Sequence, residues 1–304
     1  MHYSVVGAGL TGLTAARILA DAGHDVEVFE MRDHIGGNCA DGPMGPLHGP
    51  HIFHTSDDVV WGFMQRFATW IPTEHRVVAD TDEGRFALPY WGSLSDEDIV
   101  RLCFDGYTRK QWGKSWAEMP DSVVARVPLR DRRQRYFTDE YEGMPDGGYS
   151  AMFNRMAGGL SITLNCHAEA WRIRTDRRVL YTGRLDDIFY GPRLPYRSLW
   201  FQDIPRSPGA FVVNECRAER PYLRTVDYSM SPVNPVNRVV REFPAIYTGS
   251  AIPYYPVDSG KQRQAVYREM AYSRNIVCLG RLADYKYYDM DKAVARAMSV
   301  AQKE

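Results

Sequence analysis

The pattern that most constrains this chain is Gly7-x-Gly9-x-x-Gly12, set between a short apolar run, Tyr3–Val6, and a helical period. Leu13, Ala16, Leu19 and Ala20 give Thr11–Ala22 its helical periodicity, and Gly23 stands where a left-handed cap ends it. Val26–Glu30 reads as the next strand. Strand, glycine turn, helix and strand make a βαβ unit, which predicts a parallel sheet with helices on both faces. In that context each glycine has its own task. Gly7 makes the tight turn, Gly9 lets backbone approach a pyrophosphate, and Gly12 allows close helix–strand packing. The pyrophosphate would rest on the helix N-terminus, where free N–H groups and the dipole favour an anion. Glu30, about 20 residues on, is placed to accept hydrogen bonds from ribose hydroxyls.

Arg32 and Gly36-Gly37-Asn38 follow Glu30, which is similar to the extended fingerprint of FAD enzymes of the glutathione-reductase type. FAD is therefore the expected cofactor, with NAD as the residual. The Gly/Pro/His-rich text from Gly36 to His54 reads as a loop threading a site. Val59–Trp70 looks helical, and Ser93–Phe104 reads as a short helix opened by a box of Ser95 and Asp98. Ile162–Asn165, Arg178–Tyr181, Ala210–Asn214 and Ile276–Leu279 read as strands, and Asp291–Ala301 as a closing helix. No repeat or linker separates these elements, so the domains should be interleaved.

Composition narrows the partners. The 304 residues suit about two domains, taking roughly 100–200 residues each. No run approaches the roughly 18 apolar residues that span a bilayer, and the early first strand argues against a signal peptide. Lys+Arg 37 against Asp+Glu 38 gives net charge -1, which argues against nucleic acid or an anionic membrane as partner. The five cysteines never form C-x-x-C, so neither a disulfide framework nor a zinc site is expected and a reducing cytoplasm fits best. His51 and His54 lack accompanying carboxylates or cysteines, so no metal is expected.

Further segments appear in a telling series: GPHIFHT (Gly49–Thr55), GYTRKQWG (Gly106–Gly113), ARVPLR (Ala125–Arg130) and YFTDEYEGMPDGGY (Tyr136–Tyr149). YTG (Tyr181–Gly183), LPYRSL (Leu194–Leu199), PYLR (Pro221–Arg224), PYYPV (Pro253–Val257) and GRLADYKYYDM (Gly280–Met290) continue it. On these the chain resembles the UDP-galactopyranose mutase family over nearly its whole length. The resemblance implies an α/β fold: a Rossmann-like FAD-binding domain (1–70, 145–195, 265–304) interleaved with an antiparallel-sheet substrate domain (71–90, 116–144, 196–264). Residues 91–115 would form a reduced helical insert. It implies an isomerase that interconverts pyranose and furanose forms of UDP-galactose, or a close UDP-sugar, through an adduct of flavin N5 with the sugar. Only the reduced flavin would be active, so a reductant such as NAD(P)H is expected.

The same resemblance assigns roles. Arg126 and Arg224 would clamp the diphosphate, with Tyr136, Tyr255 and Tyr287 donating further hydrogen bonds. Tyr107 and Trp112 would lie beside the uracil and along the cleft. Arg281 would flank the isoalloxazine, His51 would lie beneath it, and Asp289 would stand near the cofactor. The residue types suit this chemistry independently: a guanidinium fork binds a diphosphate bidentately, and tyrosine hydroxyls add neutral donors. Of the basic run Arg126–Arg135, Arg126 is expected to be functional and Arg132, Arg133 and Arg135 to be mostly solvent-exposed. Two other classes share parts of this pattern, an FAD-dependent oxidoreductase of the amine-oxidase type and a non-catalytic nucleotide-sugar-binding flavoprotein.

The chain departs from the resemblance at one place. Between Leu88-Pro89 and Gly106, where typical members carry a helical insertion, only Tyr90–Asp105 remain. That predicts a poorly buttressed Tyr107 with weaker selection of the base, and it leaves the oligomeric state open.

Overall fold

The computed structural model describes residues 1–125, 129–130, 135–167, 177–189, 192–249, 253–257 and 261–304. The N-terminal βαβ unit seeds a parallel sheet of five strands. Their order is Ser161–Thr163, Asp25–Phe29, His2–Val6, Arg178–Tyr181 and Ile276–Cys278. Side chains alternate between its two faces. Tyr3, Val5, Val28 and Leu180 pack with helices Leu10–Asp21, Gly148–Ala157 and Met290–Ala301 through Leu13, Met152, Phe153 and Val294. Phe29, Val179 and Tyr181 turn the other way, onto Ile188, Ala271 and Ala283. Full burial of side chains of this size is worth about 1.5–3 kcal/mol each, so this double-sided core fixes the platform for the glycine turn.

A second sheet has seven strands, in the order Pro253–Pro256, Tyr196–Asp203, Val239–Ile246, Arg224–Asp227, Val212–Glu215, Val77–Thr81 and Gly84–Leu88. The antiparallel sheet expected from the resemblance holds one parallel pair, Val212–Glu215 beside Val77–Thr81. Its inner face presents Val77, Ala79, Val212, Val226 and Val240 to Ile99, Leu102, Cys103 and Phe104. A small antiparallel sheet of Phe53–Thr55, Tyr141–Pro145 and Trp70–Pro72 completes the frame. Among the described residues no helix is long and apolar enough to cross a membrane.

Several element boundaries differ from the sequence reading. The helix read over Val59–Trp70 runs only over Asp58–Gln65, capped by Asp57, whose carboxylate accepts from the Val59 and Val60 amides. Trp70 instead opens a strand, because Trp70–Pro72 pairs with Tyr141–Pro145. The loop from Gly36 to His54 contains a tiny hairpin, Asp41–Gly42 with Gly45–Pro46, and the start of strand Phe53–Thr55. The strand read at Ala210–Asn214 lies at Val212–Glu215.

The short helix read over Ser93–Phe104 begins as its capping box requires, with Ser95 Oγ accepting from the Asp98 amide at 3.1 Å. It does not stop at Phe104. Asp96–Ile99 passes through wider π-helical turns at Val100–Asp105 into Gly106–Trp112, where Gly113 at φ 72° ends the rod. Gly106 is needed there for space, since a Cβ would meet the Cys216 carbonyl oxygen at 2.0 Å.

Candidate active site

The glycine turn forms a cradle whose residues have separable reasons. Gly7 sits at φ +99°, and a Cβ on it would strike Thr182 Oγ1 at 2.1 Å. A Cβ on Gly12 would strike the Gly7 carbonyl oxygen at 1.9 Å. These two are glycine for the protein's own packing. Gly9 is different: its backbone is ordinary extended, and a Cβ would meet only Gly37 Cα at 3.6 Å. The fold leaves that space open, at the N-terminus of helix Leu10–Asp21, which has neither a side-chain cap nor an acidic first turn. A pyrophosphate fits this arrangement, because unsatisfied N–H groups of a first helical turn attract anions.

Glu30 braces the turn. Its buried carboxylate accepts from the Ala8 amide at 2.7 Å and the Arg32 amide at 2.9 Å. Each oxygen keeps a further acceptor site for a ribose hydroxyl. Gly36 pairs with Gly9 in a parallel bridge, with the Gly36 amide donating to the Ala8 carbonyl at 2.8 Å. Arg32 Nη2 donates to Asn38 Oδ1 at 2.8 Å, which ties the Gly36-Gly37-Asn38 segment to the end of the second strand.

A cavity of about 260 Å³ lies against the seven-stranded sheet, and one of its lining residues, His51, reaches the Gly36-Gly37-Asn38 segment of the cradle. His51, Arg281 and Asp289 line it together with Tyr107, Tyr136, Arg224 and Tyr287. His51 Nε2 is 2.8 Å from the Asn38 carbonyl, which can only accept, so Nε2 carries the proton and Nδ1 is left as an acceptor. Burial lowers the His51 pKa to about 4, so the ring is neutral. Arg281 donates through Nη2 to the Tyr288 carbonyl at 2.6 Å and lies 4.7 Å over the Tyr287 ring. Asp289 is the N-cap residue of helix Met290–Ala301 but makes no side-chain cap bond. The cavity thus joins guanidinium groups and phenol hydroxyls with the carboxylates of Glu242 and Asp289, and its guanidinium and phenol donors suit a ligand with dispersed negative charge.

Trp112 and Tyr255, expected along the cleft and on phosphate, stand behind this wall. Trp112 packs at 4.8 Å edge-on to Tyr287 and at 5.0 Å to Tyr255, so both rings orient Tyr287. The Tyr255 hydroxyl donates to the Gln111 carbonyl at 2.5 Å, tying the end of the rod. Arg126, with Arg132 and Arg133, lies outside the described residues. Arg135 is partly buried rather than solvent-exposed, because it reaches Glu142 Oε2 at 3.3 Å and the Asp139 carbonyl at 3.2 Å.

The expectation of a poorly buttressed Tyr107 is corrected by the same rod. Lys110 Nζ donates to the Glu215, Arg217 and Tyr222 carbonyls at 2.7, 2.8 and 2.9 Å. Arg197 Nη2 donates to the Lys110 carbonyl at 2.5 Å, and Ile99, Leu102, Cys103 and Phe104 are buried against the seven-stranded sheet. Tyr107 is therefore held from both ends of its helix without the insertion. Sequence reasoning also missed Glu242, Phe137 and His75. His75 is buried at 8% exposure beside Tyr136 and Phe137, and burial lowers its pKa to about 3. His54 bonds Asp139 at 2.7 Å and stacks on Phe137 at 3.6 Å.

Comparison with known proteins places this geometry. The family model for UDP-galactopyranose mutase matches residues 102–287, and that for an NAD(P)-binding Rossmann-like domain matches residues 5–67. A probable UDP-galactopyranose mutase of Klebsiella pneumoniae is 31% identical over 360 residues, covering 99% of this chain and 94% of that protein. A dTDP-fucopyranose mutase of Escherichia coli is 29% identical, covering 98% and 97%. A crystal structure of a reduced UDP-galactopyranose mutase superimposes with TM-score 0.72 at 14% identity, covering 99% and 94%. The Klebsiella alignment takes in 360 positions against 304 residues here, so this chain reaches nearly full coverage while lacking many of its relative's residues. A match of this extent selects an isomerase over an oxidoreductase or a binding protein: the chain belongs to the UDP-galactopyranose mutase family.

Proposed function

We propose that the chain interconverts the pyranose and furanose forms of UDP-galactose, or of a close UDP-sugar, with reduced FAD as cofactor. The observation that carries this reading is that Arg224, Arg281, His51 and Asp289 line one cavity, which His51 links to the glycine cradle through the Asn38 carbonyl. The family uses FAD, and the open space at Gly9 suits its pyrophosphate. Reduced FAD, when bound, supplies the nucleophile for the anomeric carbon.

The protein's own part is binding, orientation and charge. Arg224, with Tyr287 and Tyr136, would hold the diphosphate both while it is attached to the sugar and while it waits as leaving group, and Tyr107 would lie beside the base. Charge-assisted hydrogen bonds of this kind are worth about 1.5–3 kcal/mol each. Arg126 would be the second clamp, as the resemblance implies. Arg281 and the start of helix Met290–Ala301 would stabilise negative charge on the cofactor side, and Trp112 and Tyr255 would fix the angle of Tyr287. On this reading residues 1–70, 145–195 and 265–304 serve the cofactor, 71–90, 116–144 and 196–264 the substrate, and 91–115 the base. A reductant such as NAD(P)H would keep the cofactor competent.

The likeness to a dTDP-fucopyranose mutase favours one second reading, a dTDP-sugar as substrate. The discriminating experiment incubates reduced protein with UDP-galactose, UDP-galactofuranose and dTDP-fucose and separates the sugars by chromatography. Turnover of the UDP-sugars supports the proposal, and turnover confined to dTDP-fucose replaces it with the second reading.

A further inference from the structure

We infer that Trp116 is the platform on which the nucleobase of the substrate stacks, in place of the helical insertion that this chain lacks. The inference rests on the proposed function and names a further residue of that site. Trp116 lines the same cavity as Arg224 and Tyr107. Its indole is half-buried and packs at 5.0 Å, tilted by 43°, on the buried ring of Phe104.

Its position is set by the protein before any ligand arrives. The Trp116 amide donates to Asp105 Oδ1 at 2.9 Å, while the other oxygen of that carboxylate accepts from Arg109 Nε at 2.7 Å. Trp116 also opens a 3₁₀ turn, Trp116–Glu118, closed by a reciprocal box in which Glu118 Oε2 accepts from the Ser115 amide at 2.8 Å and from its hydroxyl at 2.6 Å. With its backbone held by these bonds and its ring packed on Phe104, the indole loses little freedom on binding, so more of the stacking energy is retained as affinity.

The direction follows from the linear order of a nucleotide sugar. The sugar must meet the cofactor, so it lies toward His51, Arg281 and Asp289. The diphosphate follows at Arg224. Ribose and base must then run onward along the cavity to the rod, where Phe104, Tyr107 and Trp116 wait. An aromatic face there serves any base, because every base has a π-face.

The test is calorimetric titration of UDP and of inorganic pyrophosphate into reduced, FAD-loaded protein, comparing wild type with Trp116→Ala and Trp116→Phe. Trp116→Ala should weaken UDP by about tenfold or more and move pyrophosphate by less than about twofold, while Trp116→Phe keeps most UDP affinity. Equal losses for both ligands, or no loss for UDP, would overturn the inference. If wild type binds pyrophosphate as tightly as UDP, the platform is overturned while a diphosphate site stands. If wild type binds neither, the proposed function falls and the platform with it.

Discussion

Arg224 and Glu242 face each other across adjacent antiparallel strands, Nε to Oε2 at 2.7 Å, and Glu242 is only 1% exposed. The carboxylate fixes the guanidinium at the cavity wall, and the guanidinium in turn satisfies a buried acid. Removing either partner has unequal consequences. Arg224→Ala strands Glu242, a loss of about 3–5 kcal/mol for a broken buried pair, and removes the proposed diphosphate contact. Adding Glu242→Gln should restore much of the stability and none of the binding. Urea denaturation together with UDP titration checks both halves, and a double variant that regains UDP affinity would contradict the assignment.

The glycine cradle makes a contrast of two substitutions. A Cβ at position 9 meets only Gly37 Cα, at an ordinary 3.6 Å, so Gly9→Val should fold and melt like FAD-free wild type yet purify without flavin colour. Gly12→Val drives a side chain into the Gly7 carbonyl and should lower yield and melting temperature whatever FAD is supplied. Visible absorbance and thermal melts read the difference. A yellow Gly9→Val protein would show that the space serves another purpose.

Lys110 is the anchor of the rod. Lys110→Met would leave three carbonyls without their donor, at about 1–3 kcal/mol for each that stays buried. The expected result is a lower melting point and at least about tenfold weaker UDP binding, because Tyr107 loses its restraint. A variant with wild-type melting would mean the three bonds are dispensable.

How much of this was legible beforehand follows the range of the interactions. The glycine turn, Glu30 and the Gly36–Asn38 segment are local patterns, and each lies where its spacing implied. The rod was only half legible. Its start is a local box at Ser95, but its continuation through Gly106 depends on contact with Cys216, far along the chain. The role of Lys110 depends on three carbonyls of another segment, which no local pattern around it records. Glu242 and Arg224 are neighbours only through strand register, which no motif records. The resemblance implies a phosphate contact for Tyr255, but nothing in the sequence shows that its hydroxyl donates to the Gln111 carbonyl.

His75 gives the fold a pH dependence of definite sign. An unfolded histidine titrates near pH 6.5, whereas burial holds His75 neutral down to about 3. Between those values the unfolded chain binds a proton that the native state refuses, so stability falls as pH drops below about 6.5. At about pH 5 this single group costs about 2 kcal/mol. His51, lowered to about 4 by burial, acts in the same direction. Replacing His75 by Gln should move the stability difference from wild type by about 2 kcal/mol in the variant's favour between about pH 7.5 and pH 5. Denaturation series at the two pH values measure it, and an unchanged difference would show that His75 is protonated in the native state.

The central claim is tested most directly by chromatography of UDP-galactofuranose incubated anaerobically with dithionite-reduced, FAD-loaded protein. The prediction is conversion to UDP-galactopyranose by the reduced protein, none by the oxidised protein, and a loss of about tenfold or more in Arg224→Ala. Fully FAD-loaded, reduced wild-type protein that leaves the furanose unchanged would contradict it.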